Sequence, residues 1–267
     1  MEKCWLELED DVSLAALPAD ATPGFDGDDD DARDATDRLR DELVDLQERL
    51  YAQRRHAVLV VFQAMDTGGK DSTIRRVFTG VNPAGFRMAR FGRPSDEELA
   101  HDYLWRVHPH TPARGQIAIF NRSHYEDVLV VRTNGLVPEP VWRRRYEHIR
   151  GFERLLADEG TTILKFYLHI DRDEQRQRLQ DRLDEPDKHW KFDAHDLEQR
   201  RLWDDYMAAY ADAIRETNRP FAPWYIIPAN RKWFRDYAVM SIVVDAVRRL
   251  DPRFPEPDFD PKAITLD

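Results

Sequence analysis

The chain has 267 residues, 42% of them hydrophobic, and 51 acidic against 40 basic side chains give a net charge of −11. That is apolar material for one sizeable α/β core, while the acidic balance argues against general nucleic-acid binding. A single cysteine, Cys4, excludes an internal disulfide framework and fits a reducing cytoplasm; residues 1–11 lack the apolar core of a secretory signal, and no run reaches the ~20 apolar residues of a membrane span.

The charge is uneven. Acidic residues crowd the first third, whereas Lys and Arg outnumber Asp and Glu between Lys70 and Arg154, which points to a polyanionic ligand of limited size. Residues 1–32 are rich in Pro, Gly and Asp and read as an extended arm followed by a mobile acidic loop ending at Asp28–Asp31. Leu39, Leu43, Leu46 and Leu50 then recur at the spacing of an amphipathic helix over residues 35–51.

Residues 57–74 carry the strongest chemical signal. A β-branched apolar run from Ala57 reads as a buried parallel strand, and Gly68-Gly69-Lys70 precedes a helical pattern. A glycine pair allows a tight turn whose amide N–H groups share one hollow, the helix N-terminus adds its own donors, and Lys70 adds a mobile charge. The strict P-loop pattern is incomplete, with Ala64 at the first glycine position and Asp71 at the hydroxyl position. An ordinary strand-to-helix turn has the same outline; Asp66 favours a phosphate site, because a carboxylate here can hold Mg²⁺ where the hydroxyl is missing.

Phe86–Phe91 reads as a second strand. Ser95 with Glu98 forms a capping box for a helix running to about Val107. His101, His108, His110 and His124 fit no compact zinc site. Gln116–Phe120 is a third strand ending in Asn121-Arg122, where open parallel sheets bind ligands. Pro138–Asp158 is a long arginine-rich helix, and Thr161–Ile170 is a fourth strand. The charged segment 172–193 is a helical lid or a solvated helical pair. An aromatic helix over Asp196–Asn218, a fifth strand at Trp224–Pro228 and a helix over Trp233–Leu250 follow, and no internal repeat is present. The expected organisation is an arm with acidic loop (1–32), one domain with its lid (33–257) and a tail (258–267).

The segments Phe62-Gln-Ala-Met-Asp-Thr-Gly-Gly-Lys-Asp71, Gly80-Val-Asn-Pro83, His101-Asp-Tyr-Leu-Trp-Arg106, Phe120-Asn-Arg-Ser-His-Tyr-Glu126 and Lys188-His-Trp-Lys-Phe192 together resemble the polyphosphate kinase 2 family, most closely its class III. The resemblance covers residues 21–257. It implies an α/β, P-loop kinase-like three-layer sandwich with a five-stranded parallel sheet and a helical lid. It also implies phosphoryl transfer from inorganic polyphosphate to AMP and ADP, with guanine nucleotides as alternative acceptors, Mg²⁺ (or Mn²⁺) as cofactor, and a homo-oligomer, dimer or tetramer. Asp66 and Lys70 match the family's Walker A pair, Asn121 and Arg122 its Walker B dipeptide, and Arg178 and Arg182 its lid arginines. Glu126 falls where single-step classes carry Asn. Gly92 stands at a frequent lysine position, with Arg93 next to it as a substitute.

From these matches, Asp66 and Asn121 are the expected metal ligands. Gly68, Gly69, Lys70, Asp71, Ser72, Arg93, Arg122, Arg132, Arg178 and Arg182 are the expected phosphate contacts, and Asn121, Arg122 and Glu126 are expected at the nucleotide. Two rivals use the same residues differently: an ATP-dependent nucleotide kinase, and a non-catalytic polyanion-binding protein.

Overall fold

The computed structural model describes residues 3–9 and 12–266. Its first long element is α1, Asp29–Gln53. The acidic run expected as a mobile loop is the start of this helix. Asp28 is the N-cap, accepting from the backbone N–H groups of Asp30 and Asp31, and the Asp31 carboxylate returns to the Asp28 N–H. A carboxylate capping box and three acids in the first turn complement the positive end of the helix dipole, so the charge that reads as solvating is the nucleation signal. The arm before it is docked: Leu6 N–H bonds the Ile226 carbonyl, and Cys4 and Leu14 are buried.

After α1 come β1 (Ala57–Ala64), α2 (Lys70–Val77), β2 (Phe86–Arg90) and α3 (Asp96–Leu99). The Ser95–Glu98 capping box forms, but α3 stops well short of Val107, because the Asp102 side chain caps the Leu104 N–H and diverts the chain into turns. Next are β3 (Ile117–Asn121), α4 (Val130–Thr133), α5 (Glu139–Asp158) and β4 (Thr161–His169). Then come α6 (Arg172–Asp184), α7 (Ala194–Arg201), α8 (Trp203–Thr217), β5 (Trp224–Pro228) and α9 (Lys232–Arg249). The single helix expected over Asp196–Asn218 is two, α7 and α8, broken at Leu202.

All five strands are parallel, in the order β2-β3-β1-β4-β5. β1 is central and every one of its residues is buried, which is why it reads as an unbroken apolar run. Helices α1, α2 and α9 pack together, and α4, α5 and α8 form a second group, giving three layers. The β1–β3 register sets Phe62 opposite Asn121, so the turns leaving both strands emerge side by side at the carboxyl edge of the sheet. Among the described residues no helix is long and apolar enough to cross a membrane.

Candidate active site

The turn from β1 into α2 is built around two left-handed residues, Thr67 (φ 64°) and Gly69 (φ 94°). Gly68 is required for space: a Cβ there would lie 2.5 Å from the Ala64 Cβ and 2.8 Å from the Met65 carbonyl oxygen. Gly69 is required for conformation and for space, since its Cβ would meet Arg235 Nη1 at 2.0 Å. Lys70 opens α2 and curls back so that Nζ donates to the Ala64 carbonyl at 3.0 Å. It is buried, and burial, reinforced by the charge of Arg122, pushes its pKa down to about 8. Lys70 Nζ makes no carboxylate hydrogen bond or ion pair among the described residues; two of its three donors have no protein acceptor there. The Thr67 hydroxyl is buried and has no hydrogen-bond partner among those residues. Ser72, by contrast, turns its hydroxyl back to the Gly69 carbonyl.

Two arginines reach this turn from distant elements. Arg178 on α6 donates to the Thr67, Ala229 and Asn230 carbonyls and is ion-paired to Glu174. Arg235 on α9 is almost wholly buried; Nε and Nη2 grip the Asp236 carboxylate, leaving Nη1 against Gly69. Sequence reasoning missed Arg235, which belongs to no motif. The signal was there: helical spacing puts it on one face with the buried Ala238 and Ile242, where an arginine has no reason to be unless something holds it.

The turn leaving β3 supplies the other wall. Asn121 is buried and donates from Nδ2 to Asp71 Oδ1 at 2.7 Å, which leaves its carbonyl oxygen available and ties the exposed Asp71 to the third strand. Arg122 sits in the left-handed region (φ 61°) and donates to Asp66 Oδ1 at 2.9 Å. The negative charge of Glu126 raises the Arg122 pKa above its ordinary value. Glu126 accepts from Gln63 Nε2 at 3.0 Å, and its burial raises the carboxyl against the pull of Arg122.

The Asp66–Arg122 pair and Glu126 line a cavity of about 890 Å³, with Asp193 and Asp196 also on its wall. Its flanks are largely apolar: Val130, Val131, Leu136 and Val137 on one side, Tyr206 and Tyr210 from α8 on another. A large cleft in which apolar and aromatic side chains alternate with charged groups is the ordinary form of a small-molecule site. Arg93 lies exposed on its wall, and Gly92 next to it accepts from Arg106 through its carbonyl.

The remaining expected contacts are engaged elsewhere. Arg132 is ion-paired to Asp212 and stacked on Trp142, and Arg182 ties α6 to α7 through Asp196 and bonds the Lys191 carbonyl. Their guanidinium groups therefore serve the scaffold in this conformation. Among the described residues no three His, Cys, Asp or Glu side chains cluster as a metal cage. What the site offers is hard oxygen: the second oxygen of Asp66, the Asn121 carbonyl and the orphaned Thr67 hydroxyl. That donor set suits a divalent cation completed by phosphate and water rather than caged by protein.

A glycine turn with a buried lysine at the end of the central strand, beside a cleft that also holds an acid–arginine pair, has the layout of a P-loop kinase-like phosphotransferase. Residues 26–255 match the family model of polyphosphate kinase 2 (PPK2), and the chain belongs to that family. It is 55% identical to the AMP/ADP-polyphosphate phosphotransferase of Meiothermus ruber over the full length of both chains. It is 46% identical to the ADP-polyphosphate phosphotransferase of Rhodopseudomonas palustris, over 81% of this chain and 79% of that one. The crystal structure of polyphosphate kinase 2 from Arthrobacter aurescens superposes with a TM-score of 0.93 at 40% identity, covering 96% of this chain and 92% of its own.

Proposed function

We propose that the protein is a Mg²⁺-dependent phosphotransferase that moves the terminal phosphoryl group of inorganic polyphosphate to AMP and to ADP, yielding ADP and then ATP. Guanine nucleotides are alternative acceptors, and the reaction is reversible in principle. The observation that carries this reading is the pairing of a buried Lys70, with no carboxylate at hydrogen-bond distance among the described residues, at the glycine turn with a nucleotide-sized cleft lined by Asp66, Arg122 and Glu126.

In the proposed geometry the terminal donor phosphate rests on the amides of the Thr67–Lys70 turn. Lys70 Nζ turns from the Ala64 carbonyl to a phosphate oxygen, and Arg235 Nη1 supports the floor of the turn beside Gly69. The acceptor lies in the cleft with its base against the apolar flanks and its phosphates towards Arg122. An oxygen of the acceptor's terminal phosphate forms the new P–O bond as the bond to the penultimate donor phosphate breaks, leaving a polyphosphate one unit shorter. That oxygen is already anionic, so no strong base is needed and Asp66 serves as a metal ligand with Asn121. Bound Mg²⁺ supplies neutralisation of phosphate charge. Protein catalysis is then alignment and charge stabilisation by Lys70 and Arg122. Glu126, at the acceptor end, extends the range to monophosphates. We further infer a cytoplasmic homo-oligomer, dimer or tetramer, a point for light scattering.

One assay tests the whole reading. The protein is incubated with Mg²⁺, AMP or ADP, and either polyphosphate or ATP. Product with polyphosphate supports it; product with ATP alone makes the chain an ordinary nucleotide kinase, and no product with either leaves only polyanion binding.

A further inference from the structure

The turn that carries Glu126 stands on a buried polar network that the transfer itself does not use. The Tyr125 hydroxyl lies 2.8 Å from both Glu153 Oε1 on α5 and Thr217 Oγ1 at the end of α8. Lys165, in the middle of β4, donates to the Tyr125 hydroxyl at 2.9 Å, to Glu153 Oε2 at 2.7 Å and to the Thr217 carbonyl at 2.9 Å. His124 Nε2 lies 3.3 Å from Glu153 Oε1, and Trp224 Nε1 on β5 donates to Thr217 Oγ1. Tyr125, Glu153, Lys165 and Thr217 are all fully buried.

A buried ion pair is poor value as stabilisation, because well-packed apolar side chains of the same volume do as well. What a densely bonded buried network does instead is impose one geometry on the elements it joins; here every side-chain polar atom of Tyr125, Glu153, Lys165 and Thr217 is bonded, and His124 Nδ1 is left without a partner among the described residues. Here it joins the β3 exit turn to α5, β4, β5 and α8. The first and last of these are walls of the acceptor cleft: the turn presents Glu126 and α8 presents Tyr206 and Tyr210. Glu126 has one side-chain hydrogen bond, to Gln63, so its depth in the cleft is set mainly by the backbone under it.

We propose that Tyr125, Glu153, Lys165 and Thr217 are positioning residues for acceptor choice, locking the Glu126 turn to α8 so that the carboxylate stands at a fixed depth in the cleft. The proposal rests on the reading of Glu126 given above. AMP, with one phosphate, makes fewer contacts at the arginine end than ADP and depends more on that carboxylate, so loosening the network weakens AMP use first.

The test is steady-state kinetics with polyphosphate and Mg²⁺, measuring kcat and KM separately for AMP and ADP. Tyr125→Phe and Thr217→Val each delete one hydroxyl while keeping shape, and Thr217→Ser restores it. We expect the first two to raise KM for AMP about fivefold while ADP parameters stay within about twofold, and Thr217→Ser to behave as wild type. Glu126→Gln is run in parallel. If it shifts the AMP/ADP preference and neither hydroxyl deletion does, the positioning role is overturned while the Glu126 reading stands. If Glu126→Gln leaves the preference unchanged, that reading falls and the positioning role with it. Equal loss of AMP and ADP activity in step with a lowered Tm marks the network as structural only and also overturns the proposal.

Discussion

Lys70 and Lys165 are both buried and both pushed down to about 8, chiefly by loss of solvent, yet they are opposite kinds of residue. Lys165 has all three ammonium donors filled, one by the Glu153 carboxylate. Burial alone would raise Glu153, but the charge of Lys165 and the bond from His124 outweigh it and hold the carboxyl below its ordinary value. Lys70 has one carbonyl for company. A buried cation matched donor for donor is part of the scaffold; one left short of anionic partners at a glycine turn is the one we propose to hold phosphate. Depressed pKa values alone would not separate the two, and the hydrogen-bond count does.

Four experiments would break or sharpen that contrast. Lys70→Met should lower kcat with polyphosphate ~10³-fold or more, as loss of a transition-state charge clamp does, without lowering Tm, since it removes an underpaired buried charge. Near wild-type turnover would end its assignment. Lys165→Met should do the reverse, costing about 3–5 kcal/mol in urea denaturation because Glu153 is stranded, with Glu153→Leu in the same chain recovering much of the loss. Arg235→Met should raise the KM for polyphosphate about tenfold with a smaller fall in kcat; an unchanged KM would make Arg235 a strut for Asp236 and nothing more.

The pH dependence gives the most diagnostic effect. Lys70 grips phosphate only when protonated, so kcat/KM for the donor should be at full value below about pH 8 and fall roughly tenfold per unit above it. The unfolded lysine, near 10.5, binds more protons than the folded one between these values, so the Lys70 contribution to stability rises over the same window. Activity that falls while Tm holds would fit; an activity profile flat to pH 10 would not.

The buried strands could be read almost to the residue, because parallel strands covered on both faces leave apolar runs, as in β1 and β3; β2, largely exposed, carries no such run. Helix starts were readable from caps, but helix ends less so: the Ser95 box announced α3, and an aspartate turn seven residues later cut it short. The Asp28 run was misjudged because composition was weighed above capping pattern. Asp66, Lys70, Arg122 and Glu126 could be singled out because they lie in the turns just beyond the carboxyl ends of β1 and β3, the edge of a parallel sheet where ligands bind. Arg178 lies 111 residues from the Thr67 carbonyl it holds, and Arg235 belongs to the closing helix, so no local pattern could assign either to the turn.

Local chemistry therefore settled the class of fold: alternating apolar runs and helical periods dictate the three layers, and a glycine pair with lysine dictates a tight strand-to-helix turn with a lysine at its start. Folding decided which charges are spent and which are available. Arg132, Arg178 and Arg182 look alike along the chain as free cations. Contact with Asp212, with three carbonyls and with Asp196 commits them to the framework, while Lys70 makes no carboxylate hydrogen bond among the described residues. A charge's role depends on the partners brought within hydrogen-bond distance, and those partners come from strands and helices far away in sequence.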